Sequence, residues 1–295
     1  MSQTAPTSGH APPPRTAGTT GTGSSTRLRL RLRHQPPVRL DMSAIVPERL
    51  QDLALSEMAS IPLAYGPKPI RLGDIFDVDG DVCDGHIVIE GSHGRLDRIA
   101  AGLSGGTIRV EGAIGHYGAH RMTGGEFIVS GDAGHHLASS LVGGLVHVMG
   151  HAGDHLGAPS AGERDGISGG VVIVEKDAGA YCSERQRRGL VLIKGRGGAF
   201  SGGRMLGGTL WSVSGFGAAL GCQMRRGTII TPDLTAPLST FRDCGKLHLP
   251  ILPIMASHYA HLLGDRARRL PTGAVQRYVG DFASIGRGEI LAPAE

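Results

Sequence analysis

The side chains best equipped for chemistry in this 295-residue sequence are histidines and arginines that recur at a common interval. His116 and His135 lie 19 residues apart, and Asp154 follows after another 19. His136 and His155 repeat that interval one position later, flanked by Tyr117, Tyr181 and Phe200. Imidazole and carboxylate are metal ligands, so a stacked set of them has the chemistry for a divalent ion. The commoner use of such a column is packing or a partner surface, and no metal is expected. Arg187, Arg188, Arg225 and Arg226 stand just before a recurring glycine, with Arg121 and Arg204 two positions earlier in the same pattern. A row of guanidinium groups suits a polyanion held by charge-assisted hydrogen bonds. It equally suits a solvated face or ion pairs to a neighbouring protein. No catalytic site is expected in this chain, because no serine–histidine–aspartate or paired-carboxylate arrangement emerges from the scattered His and Asp. A phosphate loop is also excluded, since no GxxxxGK[ST] run occurs.

What would bring these columns together is a repeat. Glycines at Gly85, Gly106, Gly125, Gly144, Gly170, Gly189, Gly208 and Gly227 are separated by 21, 19, 19, 26, 19, 19 and 19 residues. Two residues after each comes an apolar side chain: Ile87, Ile108, Phe127, Val146, Val172, Val191, Leu210 and Ile229. Four after come Ile89, Val110, Val129, Val148, Val174 and Ile193, and then Ser212 and Thr231 break the pattern. Nine after, glycine returns at Gly115, Gly134, Gly153, Gly179, Gly198 and Gly217. Leu103, Met122, Leu141, Ile167, Met205 and Met224 sit three before the next marker, with Gln186 the exception. A strand this short is unstable alone, but stacked on its equivalents about 4.8 Å away it builds one layer of a continuous core. The spacing therefore predicts an all-β, single-stranded, right-handed parallel β-helix, a rod of about 35 Å. Its glycines mark corners of positive φ or close approach. Residues of equal phase then form a column on one face. The interval of 26 is one repeat plus seven residues, which predicts a loop at Ala158–Gly166, the kind of insertion that meets a ligand or partner.

The chain divides into four stretches on this reading. Residues 1–26, of Thr, Gly, Ser, Pro and Ala, are expected to be a disordered tail. Residues 27–80 form a clasp, with a period-2 strand at Leu28, Leu30 and Leu32, a helix from Pro47 to Met58 and an extended run to Asp74. Residues 81–233 are the β-helix, and residues 234–295 a cap with a short helix near Leu249–Gly264 and an extended tail. Composition excludes several classes. The net charge is only +4, from 30 basic against 26 acidic residues, too balanced for a nucleic-acid binder. No apolar run approaches the roughly 20 residues that span a bilayer. Cys83, Cys182, Cys222 and Cys244 are far apart with no CxxC pair, which predicts reduced thiols in a cytoplasmic protein.

The repeat unit, seen best as Gly124-Gly-Glu-Phe-Ile-Val-Ser-Gly-Asp-Ala-Gly134, resembles the GXGXG β-helix family. That family includes the C-terminal domain of glutamate synthase and the C subunit of formylmethanofuran dehydrogenase. The flanks, Leu63-Ala-Tyr-Gly, Leu72-Gly-Asp74 and Gly286-Arg-Gly-Glu-Ile-Leu291, look like the latter, and the likeness covers residues 27–291. The resemblance implies a non-catalytic structural subunit of a hetero-oligomer. In bacteria that is the formyltransferase/hydrolase complex of one-carbon (formaldehyde) oxidation, which moves a formyl group from formyl-tetrahydromethanopterin to a methanofuran-type carrier and releases formate. It implies three kinds of partner that hold the chemistry: amidohydrolase-like, formyltransferase, and one like the B subunit of the dehydrogenase. It also implies a carrier whose polyglutamate chain would meet the arginine column at Arg187, Arg188, Arg225 and Arg226. The alternatives are the C subunit of a tungsten or molybdenum formylmethanofuran dehydrogenase, or a glutamate-synthase-like subunit.

Overall fold

The structure, a computed structural model, describes residues 27–81, 84–234, 236–260 and 273–294. The expected tail over 1–26 and Cys83 lie outside the described residues. Each glycine marker introduces one strand of a 13-stranded sheet. Before the repeats come β1 (Leu28–Leu32) and β2 (Phe76–Asp79). The repeats supply β3 (His86–Ser92), β4 (Thr107–Gly112), β5 (Glu126–Val129), β6 (Leu145–Val148), β7 (Val171–Val174), β8 (Leu190–Ile193), β9 (Thr209–Ser212) and β10 (Arg226–Ile230). After them come β11 (Arg242–His248), β12 (Ala274–Gly280) and β13 (Arg287–Pro293). From β3 to β10 every neighbour is parallel, and Ile87, Ile108, Phe127, Val146, Val172, Val191, Leu210 and Ile229 form one unbroken row of partners. A second ladder, one bridge wide, runs Ile114, Ala133, Ala152, Ala178, Gly197, Phe216. This is the parallel β-helix that the spacing predicts.

The core follows from that register. All eight row residues are at most 1% exposed, and the column two residues on is buried to its end. Ser212 and Thr231 stay inside because their hydroxyls reach carbonyls: Ser212 lies 2.8 Å from those of Gly195 and Gly215, and Thr231 donates to Asp233 at 2.7 Å. Gln186 is likewise buried, its amide nitrogen within 3.3 Å of three carbonyls. The marker glycines all have positive φ, and from Gly106 onward they also meet the close approach expected of a corner. Gly125, for example, has φ +77, and a Cβ there would lie 2.7 Å from the Gly106 carbonyl. The glycines nine residues later have no such φ; they are there for close approach, a Cβ on Gly198 meeting the Gly179 backbone at 2.4 Å.

Three features differ from expectation. The clasp strand β1 is itself the first layer, parallel to β3 and closed off by antiparallel β2. The expected helix from Pro47 to Met58 is two short ones, α1 (Pro47–Leu50) and α2 (Leu55–Ala59), because the Glu57 carboxylate takes the Ala54 amide at 2.8 Å and restarts the helix there. The extended run to Asp74 closes with another, α3 (Leu72–Ile75). At the far end β13 adds a parallel layer on β10, and β12 and β11 fold back antiparallel upon it. Strands thus replace the extended tail and close the stack. The C-terminal helix α4 (Ile251–His258) sits on the flank instead. Its Leu252 joins Ile173, Leu192, Trp211, Ile230, Val275 and Leu291 in a second core on the outer face of the sheet.

Candidate functional site

The third side of each coil carries the side chains singled out above, on backbone of an unusual kind. Residues at alternate positions are left-handed: Tyr117, Ala119 and Arg121 at φ 59, 54 and 53, then His136, Ala138 and Ser140 at 59, 54 and 52. Tyr181, Ser183 and Arg185 repeat this, as do Phe200, Gly202 and Arg204. A non-glycine residue there costs about 1–2 kcal/mol. Hydrogen bonds between coils offset the cost: the Tyr117 and Arg121 amides donate to His135 and Ser139 of the next coil, and the Ala119 amide to Ile99 of the preceding one. The middle residue of each triplet is small and faces the core. The outer two project two parallel columns from one face.

The first column is a stack of rings. Tyr117, His136, His155, Tyr181 and Phe200 lie 4.8, 4.8, 4.9 and 5.1 Å apart, with planes tilted by only 6–7°. The Arg98 guanidinium covers the open side of Tyr117 at 5.3 Å. The second column is Arg121, Ser140, Arg185, Arg204 and Gln223. The Ala158–Gly166 insertion lies against it, anchored by Glu163, which accepts from the Ser160 amide at 3.1 Å, from the Ser140 hydroxyl and from Arg121. Burial pushes the Glu163 carboxyl up, but these donors outweigh it and hold its pKa below the usual carboxylate range. His120 stands 3.5 Å from the Ser160 hydroxyl and 3.8 Å from Glu163. Through Glu163 and Ser160 this trio anchors the insertion to the coils beneath it.

Two arginine-bordered grooves meet at Arg164 and Asp165 of the insertion. One, of about 970 Å³, lies among Arg121, Ser140, Arg164, Asp165, Arg187 and Arg188. The other, of about 510 Å³, lies among Arg164, Asp165, Arg185, Arg204, Arg225 and Ile285. Arg187 is paired with Asp165 at 2.9 Å and Arg204 with Glu184 at 2.9 Å. Among the described residues, Arg164, Arg188, Arg225 and Arg226 have no ion-pair partner. Of the four arginines read from the sequence, Arg187 and Arg188 border the first groove and Arg225 the second. Arg226 opens β10, paired in register with Arg287, and borders neither. Arg185 shares the phase of Arg121 and Arg204 and was legible from it. Arg164 sits in the insertion, outside any phase, so no periodicity pointed to it.

The histidine column at His116 and His135 has a different role. The Asp97 carboxylate accepts the His116 amide at 2.7 Å, His116 Nδ1 accepts the His135 amide at 3.0 Å, and His135 Nδ1 accepts the Asp154 amide at 3.0 Å. Asp154 in turn accepts the Ala180 amide at 2.8 Å, so the column continues past the insertion. Asp132, His151 and Asp177 form a second such chain, ending on the Arg196 amide. Asp and His alternate here as acceptors for the backbone of the next coil. Among the described residues no three His, Cys, Asp or Glu side chains converge as a metal site would require. An Nδ1 that accepts must be unprotonated, so acid should loosen the stack. Burial holds the pKa values of His116, His120 and His136 below the usual His value of about 6.5, helped by neighbouring charge from Arg39, Arg98 and the other histidines; Asp97 and Glu163 act oppositely. The unfolded chain then binds more protons, so this stability is present above pH 6.5 and lost as pH falls. Melting temperature should decline from pH 7.5 to 5.5, with a further decline below about pH 4.5 as Glu48, Glu163 and Glu175, all held low, take up protons. A melting temperature flat between pH 7.5 and 5.5 would contradict the acceptor role.

No family profile matches the chain. Individual proteins do. It is 37% identical over 265 residues to the C subunit of the formyltransferase/hydrolase complex Fhc of Methylorubrum extorquens, covering 90% of this chain and 99% of that one. The chain belongs to that C-subunit family. It superimposes with a TM-score of 0.85 and 35% identity on a chain in the X-ray structure of the FhcABCD complex from Methylorubrum extorquens with methylofuran, over 90% of this chain and all of that one. The likeness to the C subunit of tungsten-containing formylmethanofuran dehydrogenase 2 from Methanothermobacter marburgensis is 31% over 89 residues, a third of that protein. Proteins from both enzyme types are thus relatives, but of these two only the formyltransferase/hydrolase type matches along the whole β-helix. Among the described residues no helix is long and apolar enough to cross a membrane.

Proposed function

We propose that this chain is the C subunit of a cytoplasmic formyltransferase/hydrolase complex, a scaffold without a catalytic site of its own, whose arginine-bordered face holds the anionic chain of a methylofuran-type carrier. The formyl transfer from formyl-tetrahydromethanopterin and the hydrolysis to formate belong to formyltransferase and amidohydrolase-like partners on this reading. The observation that carries it is the pair of grooves joined at Arg164 and Asp165, with Arg164, Arg188 and Arg225 left unpaired along them. Unpaired guanidinium groups in a row are what a chain of carboxylates requires. Each exposed contact is weak, about 0–1 kcal/mol, but several in line reinforce one another and are screened together by salt.

Replacing Arg164, Arg188 and Arg225 by glutamine should leave the fold intact and weaken retention of a polyglutamate-bearing carrier roughly tenfold or more. The loss should show as carrier washing off the complex at moderate salt. Arg226→Gln, outside both grooves, serves as the control and should change nothing. Equal retention by the triple variant and the wild type would end the carrier assignment.

A further inference from the structure

Glu163 stands on the wall of the first groove beside Arg164. A carboxylate there repels the anion that the neighbouring guanidinium groups would hold. Its own contacts run the other way, into the coils. It accepts from the Arg121 guanidinium and the Ser140 hydroxyl, side chains of equal phase on successive coils. Within the insertion it takes the Ser160 amide at 3.1 Å, and the Ser160 hydroxyl lies 2.8 Å from that of Ser139. Arg164 follows directly, and its backbone is fixed on the far side too. The Arg185 guanidinium donates to the Arg164 carbonyl at 3.1 Å, the Ser140 hydroxyl lies 3.0 Å from the Asp165 carbonyl, and the Gly166 amide donates to Arg185 at 3.1 Å. On the near side Ala161 and Gly162 are exposed, and nothing lies within 4 Å of a Cβ built on Gly162. The Glu163 carboxylate is thus the tie nearest to Arg164 on that side.

We propose that Glu163 is a positioning residue for carrier binding: it clamps the insertion to Arg121 and Ser140 and so holds the unpaired Arg164 guanidinium where the two grooves meet. This deepens the carrier reading of the face and rests on it. Arg164 is exposed. On a loose loop it would have to surrender backbone as well as side-chain freedom when an anion binds. On a pinned backbone only its own rotamers are lost, and that saving appears as affinity. The clamp stays ionised at neutral pH, because its donors hold the Glu163 carboxyl below the usual carboxylate range. Charge alone gives the opposite sign. Neutralising a carboxylate on the groove wall removes a repulsion, so a purely electrostatic role makes every neutral variant at this position bind a polyanion better. Positioning makes the variant that cannot clamp bind it worse.

A hexaglutamate peptide titrated against the full chain separates the two. Glu163→Ala and Glu163→Gln remove the same charge, but glutamine keeps the length and an oxygen that can accept from Ser160 and Ser140. Glu163→Ala should weaken peptide binding about five- to tenfold, and Glu163→Gln should recover part of that loss. Adding Glu163→Ala to Arg164→Gln should cost little beyond Arg164→Gln alone, because both act through one guanidinium. Hydrogen exchange of residues 160–166 should quicken about tenfold in Glu163→Ala, while the strands β4 to β8 exchange as in the wild type. Tighter peptide binding by both variants at Glu163 would overturn the inference, as would losses at Glu163 and Arg164 that simply add, or unchanged exchange in Glu163→Ala. A wild-type chain that holds no peptide at low salt would instead end the carrier reading, and exchange would still decide whether Glu163 fixes Arg164.

Discussion

Trp211→Ala should cost this protein about 3–5 kcal/mol of stability, the range for deleting a buried indole. Trp211 is the only tryptophan in the chain and is 2% exposed. It lies in the outward column of the sheet, where Ile173, Leu192 and Ile230 line up with it across β7 to β10. Leu291 of β13 extends the column past Ile230, and Leu252 and Val275 pack in the same outer core. Removing the indole leaves a cavity at the centre of the outer core that seats α4 against the sheet. Because that core also includes Val275 and Leu291 of the β12–β13 hairpin that closes the stack, its loosening should expose β10 and favour aggregation. Denaturant titration by circular dichroism measures the cost, and Trp211→Phe should recover much of it. A loss under about 1 kcal/mol would mean that the outer core contributes little.

The second large effect is expected at Gly153. A Cβ there would lie 2.9 Å from the Gly134 carbonyl carbon and from the His135 nitrogen, both backbone atoms of the preceding coil. Neither can yield without breaking the amide that His135 Nδ1 accepts next door. Gly153→Val should therefore cost about 3 kcal/mol. Gly162 in the insertion has φ +84 and nothing within 4 Å of a built Cβ, so Gly162→Val bears the conformational cost alone, about 1–2 kcal/mol. At roughly 2–4 °C per kcal/mol in a chain of this size, thermal melting separates the two. Equal shifts would refute the assignment of Gly153 to a coil-to-coil contact.

The parts of this fold that were legible are those where period and burial coincide. The columns through Ile87 and Ile89 repeat at 19 residues and point inward in every coil, so spacing alone places them. The outer core was missed, although its signal is present. Val171–Val174 and Leu190–Ile193 are apolar at every position, which is the pattern of a strand buried on both faces. The earlier strands carry Arg109 and His147 in the same outward column, and that mixture hid the change. The left-handed triplets could not be read at all. Tyr117 and Phe200 have no preference for that conformation, and what holds them in it is hydrogen bonding to adjacent coils rather than local sequence. The histidine phases were visible as a column, but their role as backbone acceptors depends on the distance between coils. Arg164 is similar: the insertion announced a loop, and only the folded chain places its arginine between two grooves.

The measurement that bears most directly on the scaffold reading is reconstitution with and without this chain. Purified alone, it should neither transfer nor hydrolyse formyl groups. A tagged copy should co-purify with formyltransferase and amidohydrolase-like partners, and omitting it should leave those partners unassembled and unable to pass the formyl group between them. Turnover by the isolated chain, or an assembled and fully active complex that lacks it, would contradict the account.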